Sequence, residues 1–494
     1  MFFVILQKLF KDKEDLELTT GTIWKDLFYL SLPIVIINLL RTAYNIADTF
    51  WVAQLAGEVG KNSLAAITFG FPLVFFFISL GLGLAVAGSV LVAQYEGRKN
   101  REMVDKAASQ TITFGSIAAI TLGTIGFFLV EEIVKLLGAK PDVVPLASSY
   151  MQVITLGLVF LFGFSMFIAL MRGYGDTITP MLLMLGSVAL NIVLDPFLIF
   201  GWWIFPKMGI EGAAYATIFC RGLAFLAGIA ILFSGKRGVK ISWRNMVPDR
   251  GFLKKMLGIG IPASIDGVGR SISVNLVLAI VGTFSTAVVA GFGISIRIFS
   301  MIFLPAIAIG KGVETMTGQN VGVEKYGRAE KTNYIAAKFM FILLTLVGSI
   351  TFIFAEPIAG VFADKPEVLN VGTEFLRYVS FTFGFIGVIR AFSGGFRGSG
   401  KTLIAAAISI SFLGLTRVPL AFFGSGLFGP EGVWMAFAAS NVLGGLIAFL
   451  WFRKGTWKQN VVNDKDHGFV VEKLYELNST VRETISKLLS FRNS

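Results

Sequence analysis

Arg172-Gly173-Tyr174-Gly175 returns as Arg397-Gly398-Ser399-Gly400, 225 positions further on. The same offset relates Lys140-Pro141-Asp142-Val143 to Lys365-Pro366-Glu367-Val368, and Gln94 and Gly97 to Gln319 and Gly322. Pro33 meets Pro262 at an offset of 229, and Gly209-x-Glu211-Gly212 meets Gly429-x-Glu431-Gly432 at 220. Ordered matches whose offsets drift by so little are poor candidates for coincidence. The chain is therefore read as two halves of one fold.

Each half is apolar almost throughout. The 494 residues are 55% hydrophobic and 15% charged, against about 25% charged in an average soluble domain. Twelve apolar stretches of membrane-spanning length are centred near residues 38, 78, 120, 160, 190, 222, 270, 302, 345, 383, 412 and 440. Six spans per half is an even number, so both halves enter the membrane in the same sense and the repeat axis runs along the membrane normal. The expected fold is an all-α polytopic membrane protein of two six-helix lobes around a central cavity.

Loop charges orient it. The loops assigned inside carry clusters such as Arg98, Lys99, Arg101 and Lys106, and Lys236, Arg237, Lys240, Arg244, Arg250, Lys254 and Lys255. Those assigned outside carry Lys61, Lys135, Lys140, Lys207 and Lys365. The excess predicts a multi-pass protein of the cell membrane with both termini cytoplasmic. The expected divisions are an N-terminal segment 1–23, an N-lobe 24–235, a cytoplasmic linker 236–253, a C-lobe 254–452 and a tail 453–494. In that tail, Val470 to Leu489 has the spacing of an amphipathic helix.

Several function classes are excluded. With one cysteine, Cys220, and one histidine, His467, the chain builds no internal disulfide, no Cys/His zinc site and no histidine-based catalytic set, so an enzyme is not expected. The net charge of +12 follows the inside loops rather than a basic aromatic-studded domain, so no nucleic-acid partner is expected.

Ionisable groups at membrane depth are costly and by default functional. Asp48 follows Tyr44 by four residues, Asp195 follows Asn191 by four, and Thr217 follows Ala213 by four, so each pair shares a helix face. All three pairs fall in the outer half of the bilayer. They describe an oxygen-rich pocket for a monovalent cation or shared protons, in which two acids do not both stay ionised without a counter-charge. Their repeat partners are apolar: Asp48 falls against Val277 and Asp195 against Val418 or Leu420. A structural requirement of the fold belongs in both halves, whereas a coupling function needs one. Asp266 and Arg270, four apart in the second half, suit an internal ion pair better than a substrate contact. Lys311 and Glu314 read as a cytoplasmic gate or an interfacial pair. Pro33 is a candidate hinge.

The segment Tyr44-Asn45-Ile46-Ala47-Asp48-Thr49-Phe50-Trp51-Val52, the run Asn191-Ile192-Val193-Leu194-Asp195-Pro196, the run Glu211-Gly212-Ala213-Ala214-Tyr215-Ala216-Thr217 and the duplicated Arg-Gly-x-Gly turns resemble the multidrug and toxic compound extrusion (MATE) transporters, most closely the DinF-like and archaeal branch. The resemblance covers about Trp24 to Trp451. It implies a V-shaped pair of lobes that exports organic cations and other amphipathic compounds by alternating access, driven by Na⁺ or H⁺, with no cofactor beyond that ion and as a monomer. Carried over by position, Asp48, Asn191, Asp195 and Thr217, with Ala213, form the cation site, which Na⁺ can occupy. Tyr44, Asn45, Ser165, Asp266 and Arg270 are the substrate and cavity candidates. Ser165-Met166-Phe167-Ile168 stands where this branch often carries asparagine, which weakens the substrate contacts. The competing reading is a lipid-linked oligosaccharide flippase of the same superfamily, kept alive by Arg270, Arg297, Arg390 and Arg417.

Overall fold

The computed structural model describes residues 10–55, 57–136, 138–363 and 365–458. The helix expected over Val470 to Leu489 lies outside them.

The N-lobe is built from α1 (Ile23–Ala53), α2 (Gly57–Gly97), α3 (Arg101–Leu136), α4 (Val144–Leu156), α5 (Leu158–Tyr174), α6 (Ile178–Phe200) and α7 (Ile210–Ser234). The C-lobe repeats the plan with α8 (Arg250–Val281), α9 (Thr286–Ile302), α10 (Leu304–Gly322), α11 (Tyr326–Ile353), the short α12 (Ala355–Gly360), α13 (Pro366–Ser380), α14 (Phe383–Gly398), α15 (Thr402–Ile410), a π-turn Ser411–Arg417, α16 (Val418–Phe428) and α17 (Pro430–Arg453). Among the described residues ten helical stretches are long and apolar enough to cross a membrane, and up to twelve if each of two bent pairs counts as one span. The bends fall at repeat-equivalent places: α4 meets α5 at 52° beside Gly157, and α13 meets α14 at 56° beside Phe381 and Thr382.

The repeated turn explains itself physically. Gly175 and Gly400 close the two copies at φ +106° and +83°, a region that costs an L side chain energy. Gly173 and Gly398 are close approaches instead, where a Cβ would meet the backbone carbonyls of Ser89 and Glu314, themselves 225 apart. Gly209 and Gly429 open α7 and α17 with matching backbones, φ 58° and 61°. The offset falls to 220 there because the N-lobe spends residues 201–209 between α6 and α7, while Gly429 alone separates α16 from α17.

The hydrophobic cores do not divide at the linker. Leu27 and Leu30, early in α1, pack into the C-lobe core, whereas Ile37 onward packs into the N-lobe. Phe252, Met256, Ile259 and Ala263, early in α8, belong to the N-lobe core, and Val277 onward to the C-lobe. Each lobe thus lends the start of its first helix to the other. Along this seam, at Gly83 and Gly260, α2 and α8 approach so closely that side chains would collide. α1 runs through the buried Pro33 as one helix.

The linker is short and docked. Gln110 donates to the carbonyls of Asn245 (2.6 Å) and Val247 (2.7 Å) and accepts from the Asp249 amide. α8 begins at Arg250, inside the expected linker, because Asp249 caps it through the amides of Gly251 and Phe252. Lys106, 2.7 Å away, and these two amides hold the Asp249 carboxyl below its ordinary pKa.

Candidate functional site

Three N-lobe helices supply the acidic pocket. α1 brings Tyr44, Asn45 and Asp48, α6 brings Asn191 and Asp195, and α7 brings Ala213 and Thr217. Thr217 Oγ1 donates to Asp48 Oδ2 at 3.2 Å, Asn191 Nδ2 donates to Asp195 Oδ1 at 3.0 Å, and the Tyr44 hydroxyl donates to the Thr217 carbonyl at 3.3 Å. The two carboxyls are close enough to act on each other electrostatically. Asn191 and Asp195 are wholly buried. Tyr44, Asn45, Asp48, Thr49, Tyr150, Thr217 and Arg221 line one cavity. Ala213 is buried one turn before Thr217.

The oxygens are only half used. Asp48 Oδ1, Asp195 Oδ2 and Asn191 Oδ1 are buried with no hydrogen-bond partner among the described residues. Orphaned acceptors at this depth are costly, and a bound cation or proton relieves them. The chemistry fits Na⁺, a hard ion that takes carboxylate, amide and hydroxyl oxygens.

Arg221 supplies the counter-charge the sequence reading lacked. Its guanidinium lies 4.4 Å from the centroid of the Tyr44 ring, within electrostatic reach of Asp48. With both acids ionised, Asp48, Asp195 and Arg221 sum to one negative charge, which one monovalent cation balances. Arg221 stands four residues after Thr217, on the same helix face, so the four-residue spacing that pairs Ala213 with Thr217 also reaches it.

The other candidates separate. Ser165 lines a second cavity with Asn38, Arg41, Arg172, Thr177 and Lys311. Asp266 and Arg270 line neither; Asp266 is buried between Arg270 (2.6 Å) and Arg397 (2.8 Å), and Arg270 also reaches Ser409. Glu314 pairs with Arg172 across the lobes at 3.5 Å rather than with Lys311. Arg417 is buried on Ser440 (2.9 Å) and Asn441 (2.8 Å), its guanidinium 4.1 Å from the Phe437 ring. Arg41 escaped the sequence reading, yet it lies on the helical stripe Asn38, Arg41, Tyr44, Asp48. Following that stripe backwards from Asp48 would have found it.

A duplicated helical membrane protein with a polar pocket inside one lobe and a second cavity in that lobe reached by Lys311 of the other has the build of a membrane transporter. The MatE family matches residues 33–197 and 262–423, and the chain belongs to it. This is a family of multi-pass membrane transporters, not of enzymes. Probable multidrug resistance protein YpnP of Bacillus subtilis is 29% identical over 442 residues, covering 90% of this chain and 97% of its own. The FAD transporter of Shewanella oneidensis is 26% identical over 432 residues, covering 87% and 95%. A solved MOP superfamily transporter from Pyrococcus furiosus, described as having a binding pocket of reverse polarity, superposes with a TM-score of 0.82 at 26% identity, over 90% of this chain and 98% of that one.

Proposed function

We propose that the chain is a secondary antiporter of the cell membrane that exports amphipathic organic compounds by alternating access, with Asp48, Asn191, Asp195 and Thr217 as the coupling site for Na⁺ or H⁺. The observation that carries this is the convergence of two carboxyls, an amide and a hydroxyl with three unpartnered buried oxygens in the N-lobe alone. Their absence from the C-lobe positions favours coupling over a shared structural need. The multidrug resistance proteins among the relatives support export. The basic loops at the end where Gln94 and Gln319 lie favour a cytoplasmic assignment for that end and for both termini. No cofactor beyond the ion is proposed, and a monomer contains the whole site. The archaeal neighbour at 26% identity supports the DinF-like and archaeal branch.

The flippase reading loses weight. Arg270 and Arg397 share the one carboxylate of Asp266, and Arg417 is held by Ser440 and Asn441. Proteoliposomes with separately imposed Na⁺ and proton gradients test the proposal. Gradient-driven flux that vanishes in Asp48→Asn is expected. Flux indifferent to both gradients would remove the antiport reading.

A further inference from the structure

The second cavity has a polarity opposite to the first. Arg41, Arg172 and Lys311 line it, and no acid does. Arg172 is shared with Glu314 at 3.5 Å. Arg41 and Lys311 have no acidic partner within ion-pair distance among the described residues, and both remain accessible within the cavity. Arg221 and Arg172 act electrostatically on Arg41, and Arg172, Glu314 and Arg41 act on Lys311. Unpaired charges at this depth call for a counter-ion, and a cationic substrate would add to the imbalance. The rest of the wall is mostly apolar, with Ile34, Ile37, Leu82 and Phe162 beside the amide of Asn38 and the hydroxyls of Ser165 and Thr177.

We propose that this cavity, about 60 Å³ in this conformation, receives the phosphate or other doubly charged head of an amphipathic organic anion, held by Arg41, Lys311 and Arg172, while its apolar body lies along the aliphatic mouth at Ile34, Ile37 and Leu82. The assignment rests on the transport reading above and names its substrate class. The arginines supply forked donors suited to phosphate oxygens, and Lys311 supplies a point charge. Where the sequence leads one to expect an organic cation, the groups that would meet the substrate are cationic.

Flavin mononucleotide and riboflavin differ by one phosphate on the same flat body, so their fluorescence titration against the purified full chain in neutral detergent reads the head group alone. Flavin mononucleotide is expected to bind about tenfold or more tightly than riboflavin, the scale of one charge-assisted hydrogen bond. Arg41→Gln and Lys311→Gln are each expected to remove most of that preference, and Arg41→Lys to restore part of it in chains that elute as the parent does. Equal binding of the two flavins, a preference that survives both glutamine variants, or tighter binding of the amphipathic cation ethidium would overturn the proposal. Repeating the titration with phosphatidylglycerol in the micelles identifies the source of the anion. Displacement through Arg41 makes the head a lipid phosphate, and no displacement makes it a soluble one. Either result stands on the same anion chemistry. If no gradient drives any flux while the phosphate preference persists, the antiport reading fails and the anion site stands.

Discussion

Gln94 and Gln319 are repeat partners, and each closes on the other lobe's turn. Gln94 Nε2 donates to the Gly398 carbonyl at 3.0 Å, while Gln319 Nε2 donates to the carbonyls of Gly173 at 3.2 Å and Tyr174 at 3.0 Å. Gly173 and Gly398 are themselves 225 apart, so the two contacts are one contact seen twice about the pseudo-twofold. Arg98 to the Gly322 carbonyl (3.0 Å), Thr315 to the Arg172 carbonyl (3.2 Å) and the Arg172–Glu314 pair lie beside them. Together they seal the lobes at the end where the basic loops gather.

This latch predicts an unequal pair of substitutions. Gln319→Ala strands two buried carbonyls and is expected to cost about 1–3 kcal/mol, and Gln94→Ala, which strands one, about half of that. Both are expected to shift the resting population towards opening at the latch end. Thermal unfolding in detergent, together with spin-label distances between α2 and α14, measures both effects. A Gln94→Ala cost equal to or above that of Gln319→Ala would contradict the hydrogen-bond count.

Asp195→Asn keeps the size and most of the hydrogen bonding of a fully buried side chain while deleting its charge. It is expected to fold as the parent does and to lose gradient-driven export. Parental export by a folded variant would make Asp195 structural.

Asn191 and Thr217 divide Na⁺ from H⁺. A proton needs only the acids, whereas Na⁺ uses the neutral oxygens as well. Asn191→Ala or Thr217→Ala is expected to weaken Na⁺ binding and to leave proton uptake by the acids nearly intact. Protons compete for the same carboxylates, so Na⁺ affinity is expected to fall as the pH is lowered. Radioactive Na⁺ binding to the purified variants reads this directly, and unchanged affinity in both would assign the site to protons.

A reporter fused after Arg244, in the docked linker, is expected on the cytoplasmic side, and one at Lys207, between α6 and α7, on the outside. Finding both on one side would remove the twelve-span arrangement.

Much of this was legible because membranes constrain backbones so strongly. Apolar length marks the spans, and the Arg-Gly-x-Gly pair marks the duplication before any contact is known. The acidic pocket was legible because carboxylates in an apolar run are conspicuous and four-residue spacing fixes their face. The bends beside Gly157 and Thr382 were not, since one site has no breaking residue at all. The reciprocal Gln94 and Gln319 contacts were visible as a repeat but not as bonds, because their acceptors are carbonyls of any residue type. Arg41 was inconspicuous because it is one of 43 basic residues, against 31 acidic ones.

α1 carries Arg41 and Asp48 seven residues apart, about 10 Å along one axle. The helix therefore joins two compartments of opposite sign, the proposed ion site and the proposed anion site. Any tilt or roll of α1 that occupation of Asp48 favours must also re-aim Arg41. The exchange rate between the two is then fixed by thermodynamics: the factor by which the ion alters the affinity for an anion at Arg41 equals the factor by which that anion alters the affinity for the ion.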